Sequence, residues 1–462
     1  MNEFPWHETS SRLQKVQQTL AKRQADASLI TSAVNQYYLA GVIFDGYLYI
    51  LPEGDPLFFI KRPVNFLDEL DNGEKPNKWV EQTKLDRQGK QGKPAKPSRQ
   101  GGTVNEERRP RRGRPIRKPE QIPDLLRELG LPQPKRVLIE ADQMSFSAAS
   151  RLQAALGMPE IENVSGEVRR IRSIKSEYEL EQIRASARVH TKVYETIPSL
   201  YHKGMTDLEL QVEIERQMRL HGSVGIFRSF GENMDIFMGS MLTGDNAQAP
   251  SPYDYALGGA GISPLLPIGA NGTVLKPGTT LMVDMAGNYG PYMDDMSRTF
   301  VIEQAPDLAY RAHQVSMEIH RAIVENGKVG TPCSDLYHLA EEMVKENGLS
   351  PYFMGTIQQA KFIGHGVGLE INESPVLSPR SRDLLEAGMA IALEPKFVLP
   401  GIGAVGIENT YIVREGKREN GWENEGERKG ERKSERENDR EEGQTSWLEN
   451  ITLFPEEMVL LS

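Results

Sequence analysis

The chain has 462 residues, a formal net charge of -10 and a single cysteine. That length exceeds one ordinary core and points to two domains with insertions; Cys333 alone excludes an intrachain disulfide and fits a reducing compartment. The charge argues against a nucleic-acid partner, no run approaches the roughly 18 apolar residues of a membrane span, and the start MNEFPWHETSSRLQKV has no apolar signal core, so a cytoplasmic protein is expected.

From about Glu74 to Lys118 the chain is basic, rich in Pro, Gly and Gln, and has almost nothing to bury, which predicts a disordered, solvated insertion. Ser176-Glu177-Tyr178-Glu179 is a capping box that opens a helix, as is Thr206-Asp207-Leu208-Glu209. The segments KGMTDLELQVEIERQMRLHG and VGTPCSDLYHLAEEMVKENG each run from a glycine turn through an Asp-Leu pair and an amphipathic helix to a closing glycine, which suggests a duplicated half-domain.

The stretch LMVDMAGNYGPYMDDMSRTFVI reads as two strands folded around Asn288-Tyr289-Gly290-Pro291. A centre between Tyr289 and Gly290 sets Asp284 opposite Asp295. FIGHGVGLEINESP then supplies one nitrogen donor, His365, with Gly364, Gly366 and Gly368 letting the backbone approach a metal or substrate. AIALEPKFVLPGIGAVGIENTYIV turns at Pro400-Gly401, and a centre at Gly401 sets Glu394 opposite Glu408. Residues 414–446 are a second charged, low-complexity insertion, which interrupts a final strand-turn-strand. The alternation of helical and strand patterns is that of an α+β protein.

A lone Asp near a turn is usually a cap, and a lone His beside glycines a structural hydrogen-bonder. Four carboxylates facing one another in apolar strands repel, and make sense with cations between them. One imidazole among oxygens favours Mn(II), with Co(II), Fe(II) or Zn(II) as alternatives. The spacing predicts two divalent ions on Asp284, Asp295, His365, Glu394 and Glu408, with Asp295 and Glu408 as bridges. Two such ions about 3.5 to 4 Å apart would share a water and polarise a scissile carbonyl.

VDMAG, MDDMSRTF, GHGVGLE, ALEP and GIENT, with the eleven-residue step from Asp284 to Asp295, resemble the pita-bread metallohydrolases: methionine aminopeptidase, aminopeptidase P, prolidase and metal-free creatinase. RRIRSIKSEYELEQIRASARV resembles that family's entry helix, and RLQKVQQTLAKRQADASLITSAVNQYYLAGVIFDGYLYIL resembles the N-terminal domain of aminopeptidase P, prolidase and creatinase, which methionine aminopeptidase lacks. The resemblance implies a creatinase/prolidase-like α/β domain over residues 8–165 and a pita-bread catalytic domain over 166–462. It also implies a homodimer, a small peptide substrate, and Glu394 as proton acceptor as well as ligand.

Three positions depart from the pattern. The family's histidine upstream of the first aspartate is missing, since no histidine lies between His221 and His313. A second family histidine is replaced by Asn372, and an arginine two residues before the last ligand by Gly406, whose lack of side chain should open the pocket. An amide can hold a developing oxyanion but cannot protonate a leaving amine. Three readings follow: an Xaa-Pro aminopeptidase or dipeptidase in which Asn372 and Tyr253 or Tyr255 stand in for the histidines; a hydrolase or lyase of a small non-peptide substrate; or a metal-binding homologue impaired in turnover.

Overall fold

The computed structural model describes residues 6–64, 112–229, 231, 238–253, 255–415 and 447–462. Contacts divide the chain into two compact units, Met1–Ile171 and Arg172–Ser462. The first is α/β and the second α+β, as the sequence predicts.

In the first unit, strands β1 (Ala27–Ile30), β2 (Asp45–Ile50), β3 (Leu57–Arg62), β4 (Arg112–Pro115), β5 (Arg136–Ile139) and β6 (Glu160–Asn163) form one mixed sheet in the order β4-β3-β2-β1-β5-β6. Its apolar alternation buries Leu29, Tyr49, Phe59, Val137 and Ile139 against Leu126 and Leu152 of flanking helices. Most of the basic insertion lies outside the described residues, but its last part does not. Residues 112–115 form edge strand β4, parallel to β3, with Phe58 paired to Gly113 and Ile60 to Pro115. An edge strand is hydrogen-bonded on one side only, so it tolerates the arginines and proline that made the segment read as a loop.

The second unit contains two sheets. One has the order β11-β10-β12-β15-β16, from β10 (Gly364–Gly366), β11 (Glu373–Val376), β12 (Ala390–Leu393), β15 (Asn409–Val413) and β16 (Leu448–Asn450). The other runs β13-β14-β7-β8-β9-β17, from β7 (Gly239–Thr243), β8 (Thr280–Gly287), β9 (Asp294–Ile302), β13 (Lys396–Leu399), β14 (Gly403–Gly406) and β17 (Val459–Leu461). Helices Glu177–Tyr194 and Asp207–Leu220 cover β8 and β9 through Val193 and Tyr194, with Leu210 and Ile214, against Val283, Met285, Met296 and Phe300. Helices Asp307–Asn326 and Cys333–Glu346 pack on Ile391, Leu393, Phe397 and Val405. Both expected capping boxes are present.

The suspected duplication has a structural trace. Thr206 and Pro332, the N-caps of the two similar helices, each form a β-bridge, to Val274 and Leu384 respectively. Asp284 and Glu394 follow those bridge partners at the same ten-residue step.

Residues 416–446 of the second insertion lie outside the described residues, while the chain at either end is described: Arg414 N donates to Trp447 O at 2.8 Å, and β15 pairs antiparallel with β16. The strand pair expected around it is therefore present. Among the described residues, no helix is long and apolar enough to cross a membrane.

Candidate metal centre

The first hairpin places its carboxylates on one face, but in a different register from the expected one. Asp284 pairs with Ser297, and Asp295 with Ala286. The tight turn assumed from Asn288-Tyr289-Gly290-Pro291 is instead the wider loop 288–293, pinned by Asn288 Nδ2 donating to Ile226 O and Met293 N to Gly368 O. Because side chains alternate with a period of two, this two-residue displacement leaves both aspartates on the same side, diagonal rather than opposite.

The second hairpin has the expected centre. Leu393 pairs with Asn409 in one sheet and Lys396 with Gly406 in the other. Glu394 and Glu408 thus face each other where the hairpin passes between the sheets. Glu394 N donates to Ile363 O (2.7 Å) and Glu408 N to Ser297 O (3.1 Å), which draws β10 and β9 to this crossing. His365, on β10, is paired with Ala392.

The five residues converge as two overlapping groups, Asp295–His365–Glu408 and Asp284–Glu394–Glu408, whose donor atoms lie within 4.8 Å of one another in each group. His365 Nε2 is 3.4 Å from Glu394 and 3.9 Å from Asp295. Its Nδ1 lies 3.1 Å from Gly366 O, a contact that fixes the proton on Nδ1 and leaves Nε2 as the donor atom for a metal. Ser297 Oγ donates to Glu408 at 2.6 Å, and Thr410 Oγ1 both accepts from Asp295 N and donates to Asp295 O, each at 2.9 Å.

The sixth member was not foreseen. Lys396, wholly buried, directs its ammonium at Asp284 (2.9 Å), Glu394 (2.7 Å) and Glu408 (2.9 Å). Burial alone would raise Glu394, but Lys396 and His365 outweigh it and hold this carboxylate well below its ordinary range. Asp295 and Glu408 are pushed up, first by burial and then by their carboxylate neighbours. One ammonium therefore leaves the cluster short of positive charge. Oxygen donors with one imidazole nitrogen fit a divalent cation.

Several neighbouring features have different roles from those expected. Gly364 and Gly366 make room for protein backbone: a Cβ there would lie 2.3 Å from Ala392 O and 2.2 Å from Ser374 O. Gly368 accommodates the Glu373 carboxylate, 2.7 Å from such a Cβ. Gly406 opens no pocket. Its φ is +132°, and a Cβ would come within 2.8 Å of Pro395 O and 3.1 Å of Lys396 Cα. The positive charge in this region comes from Lys396, directly across the hairpin. Asn372 accepts a hydrogen bond from Ser229 Oγ (3.1 Å), and the adjoining Ile371 packs with Phe227, Ala286 and Met293. Tyr253 and Tyr255 line a cavity of about 350 Å³ together with Gln358, Lys361 and Phe362, and the Phe362 ring lies 6.3 Å from that of His365.

Glu373 anchors the loop after His365. It takes hydrogen bonds from Arg172, Lys175 (3.0 Å) and the backbone N–H groups of Leu369 (2.9 Å) and Glu370 (3.2 Å). Burial pushes its pKa up, but Arg172 and Lys175 prevail and bring it to about 2. A depressed carboxylate stabilises the fold above its unfolded value and loses that contribution as pH falls through its folded value. The melting temperature should therefore drop between about pH 4.5 and 2, with Glu373 accounting for about 3 kcal/mol. Glu373→Gln should flatten that part of a calorimetric pH series. An unchanged slope would refute the anchoring role.

The model of metallopeptidase family M24 matches residues 181–415, and that of the creatinase/prolidase N-terminal domain matches residues 12–174. An uncharacterized peptidase of Staphylococcus aureus (strain USA300) is 27% identical over 280 residues, covering 60% of this chain and 70% of that protein. The fold is similar to that of an Xaa-Pro dipeptidase from Bacillus anthracis (TM-score 0.70, 20% identity, 98% of this chain and 100% of that one). It is also similar to the prolidase from Pyrococcus horikoshii OT3 (TM-score 0.69, 19% identity, 97% and 100%). With half its length matched by the catalytic-domain model and most of the remainder by the N-terminal one, the chain belongs to metallopeptidase family M24 and carries a creatinase/prolidase-type N-terminal domain.

Proposed function

We propose that this metallopeptidase cleaves small peptides at Xaa-Pro bonds, as an aminopeptidase or dipeptidase, with Asp284, Asp295, His365, Glu394 and Glu408 forming the metal centre. The observation that carries this reading is the convergence of Asp295, His365 and Glu408 donors beside Glu394 in an M24 chain. When bound, a divalent ion supplies Lewis-acid polarisation of the carbonyl and acidifies the attacking water. Mn(II) suits the donor set best, with Co(II), Fe(II) or Zn(II) as alternatives. The proposed assembly is a cytoplasmic homodimer.

In this reading Glu394, ionised beside Lys396 and His365, accepts the water's proton. Ser297 and Thr410 hold Glu408 and Asp295 in place. The cavity beside Phe362 accommodates the substrate, with Tyr253 and Tyr255 on its wall. Asn372 donates a hydrogen bond to the developing oxyanion, and cannot protonate the leaving amine. That last feature favours the second reading, a hydrolase or lyase of a small non-peptide substrate, where the leaving group is one that departs with little protonation.

Mn(II)-loaded protein should hydrolyse Xaa-Pro dipeptides or longer Xaa-Pro peptides in preference to small amides. Turnover of the amides alone would overturn the peptidase reading. Asn372→His should raise turnover of Xaa-Pro peptides, by an amount within the 10²- to 10⁴-fold typical of general acid help at about its lower end. It should do less for substrates with good leaving groups. Equal effects on both would mean that the missing imidazole does not limit this enzyme.

A further inference from the structure

The cluster contains a cation already. Lys396 is anchored at both ends: its backbone carbonyl accepts from Met354 N at 2.8 Å, its strand pairs with β14, and its ammonium is wholly enclosed. An ammonium has three N–H groups. Here they meet Asp284, Glu394 and Glu408 at 2.9, 2.7 and 2.9 Å, one carboxylate each. These three residues are also one of the two groups able to hold a metal ion.

A divalent ion bound by the same three carboxylates would have to sit where Nζ sits, because the donors surround a single point. A cation also repels a second cation at that range, by several kcal/mol even at an effective dielectric near 20. The other group is different. Lys396 touches neither Asp295 nor His365 in the contacts that define it, and His365 Nε2 faces that group with its proton on the opposite nitrogen. Counting charges gives the same answer. One divalent ion plus the ammonium offsets three of four carboxylates, whereas two ions plus the ammonium would exceed all four.

We infer that Lys396 is a built-in replacement for one cation of the centre, so that the chain takes a single divalent ion, at Asp295, His365 and Glu408. This deepens the metallopeptidase reading and rests on its ligand assignment, not on its substrate. It departs from the two-ion centre that facing carboxylates suggested, and explains why a lysine stands in an otherwise apolar strand, Lys396-Phe397-Val398-Leu399, on the same face as Glu394.

The test counts metal rather than turnover, so failure of the peptidase assay does not bear on this inference. Full-length protein dialysed against Mn(II) should retain one equivalent per chain, with the electron paramagnetic resonance spectrum of an isolated ion. Lys396→Ala should gain a second equivalent and show the spin-coupled spectrum of a pair, and Lys396→Arg, which keeps the cation, should stay at one. Two equivalents, or none, in the unaltered protein would overturn the inference. So would a folded Lys396→Ala that still binds one. If Lys396→Ala does not fold, by circular dichroism, the count in the unaltered protein and in Lys396→Arg decides.

Discussion

Asp295→Ala is expected to release the bound metal and to lower kcat/KM on an Xaa-Pro peptide by at least about 10³-fold, the equivalent of about 4 kcal/mol of transition-state stabilisation. Asp295 is nearly buried, its main chain is clamped on both sides by Thr410, and it belongs to the group that lies away from Lys396. Removing it deletes a donor without disturbing the β8–β9 ladder. The remaining donors of that group, His365 and Glu408, cannot hold a divalent ion firmly. Plasma emission spectrometry should find the metal gone after dialysis, while circular dichroism stays unchanged. Full metal retention with intact activity would remove Asp295 from the centre. Asp284→Ala makes the contrast: Asp284 faces the ammonium and is the most exposed carboxylate of the set, so its loss should cost activity while sparing most of the metal.

How much of this was legible in the sequence depends on which interactions set each element. The Glu394–Glu408 hairpin was readable because Pro400-Gly401 is a tight turn whose centre fixes the whole register. The Asp284–Asp295 hairpin was readable in face and not in register, because the length of its loop is set by Asn288 and Met293 bonding to distant backbone, which no local rule contains. Strand β4 was hidden by its own arginines. The convergence of His365 with the carboxylates depends on two sheets meeting at Glu394, a tertiary fact for which the sequence offers only family resemblance.

Lys396 had a signal that could have been used. A lysine two residues from Glu394 in a strand lies on that glutamate's face, and the strand around it is apolar. A charge in such a place needs a partner. Arg298 in DDMSRTFVI carries the same signal, three residues beyond Asp295, and its partners proved to be backbone carbonyls and the Asn409 side-chain amide rather than carboxylates.

Arg298→Met is expected to destabilise the protein by about 4 kcal/mol or more, the range for breaking a buried, fully bonded charge site. The guanidinium is wholly buried and its fork is saturated. Nη1 donates to Glu408 O (2.8 Å) and Ser297 O (2.9 Å), Nη2 to Phe454 O (2.8 Å) and Asn409 Oδ1 (2.9 Å), and Nε to Pro455 O (2.8 Å). These bonds tie β9 and the backbone of Glu408 to the C-terminal segment that carries β16 and β17. Burial lowers its pKa to about 10, which still leaves it charged at neutral pH. Methionine fills much of the volume and donates nothing, so the carbonyls of Phe454 and Pro455 lose their donors. Urea unfolding should show the loss, and hydrogen exchange should rise first in residues 447–462. Arg298→Lys separates charge from shape, because an ammonium can reach fewer of these acceptors than a planar fork. It should recover less than half of the lost stability. Full recovery would mean that Arg298 acts as a point charge, and that the segment is held by its strand pairing alone.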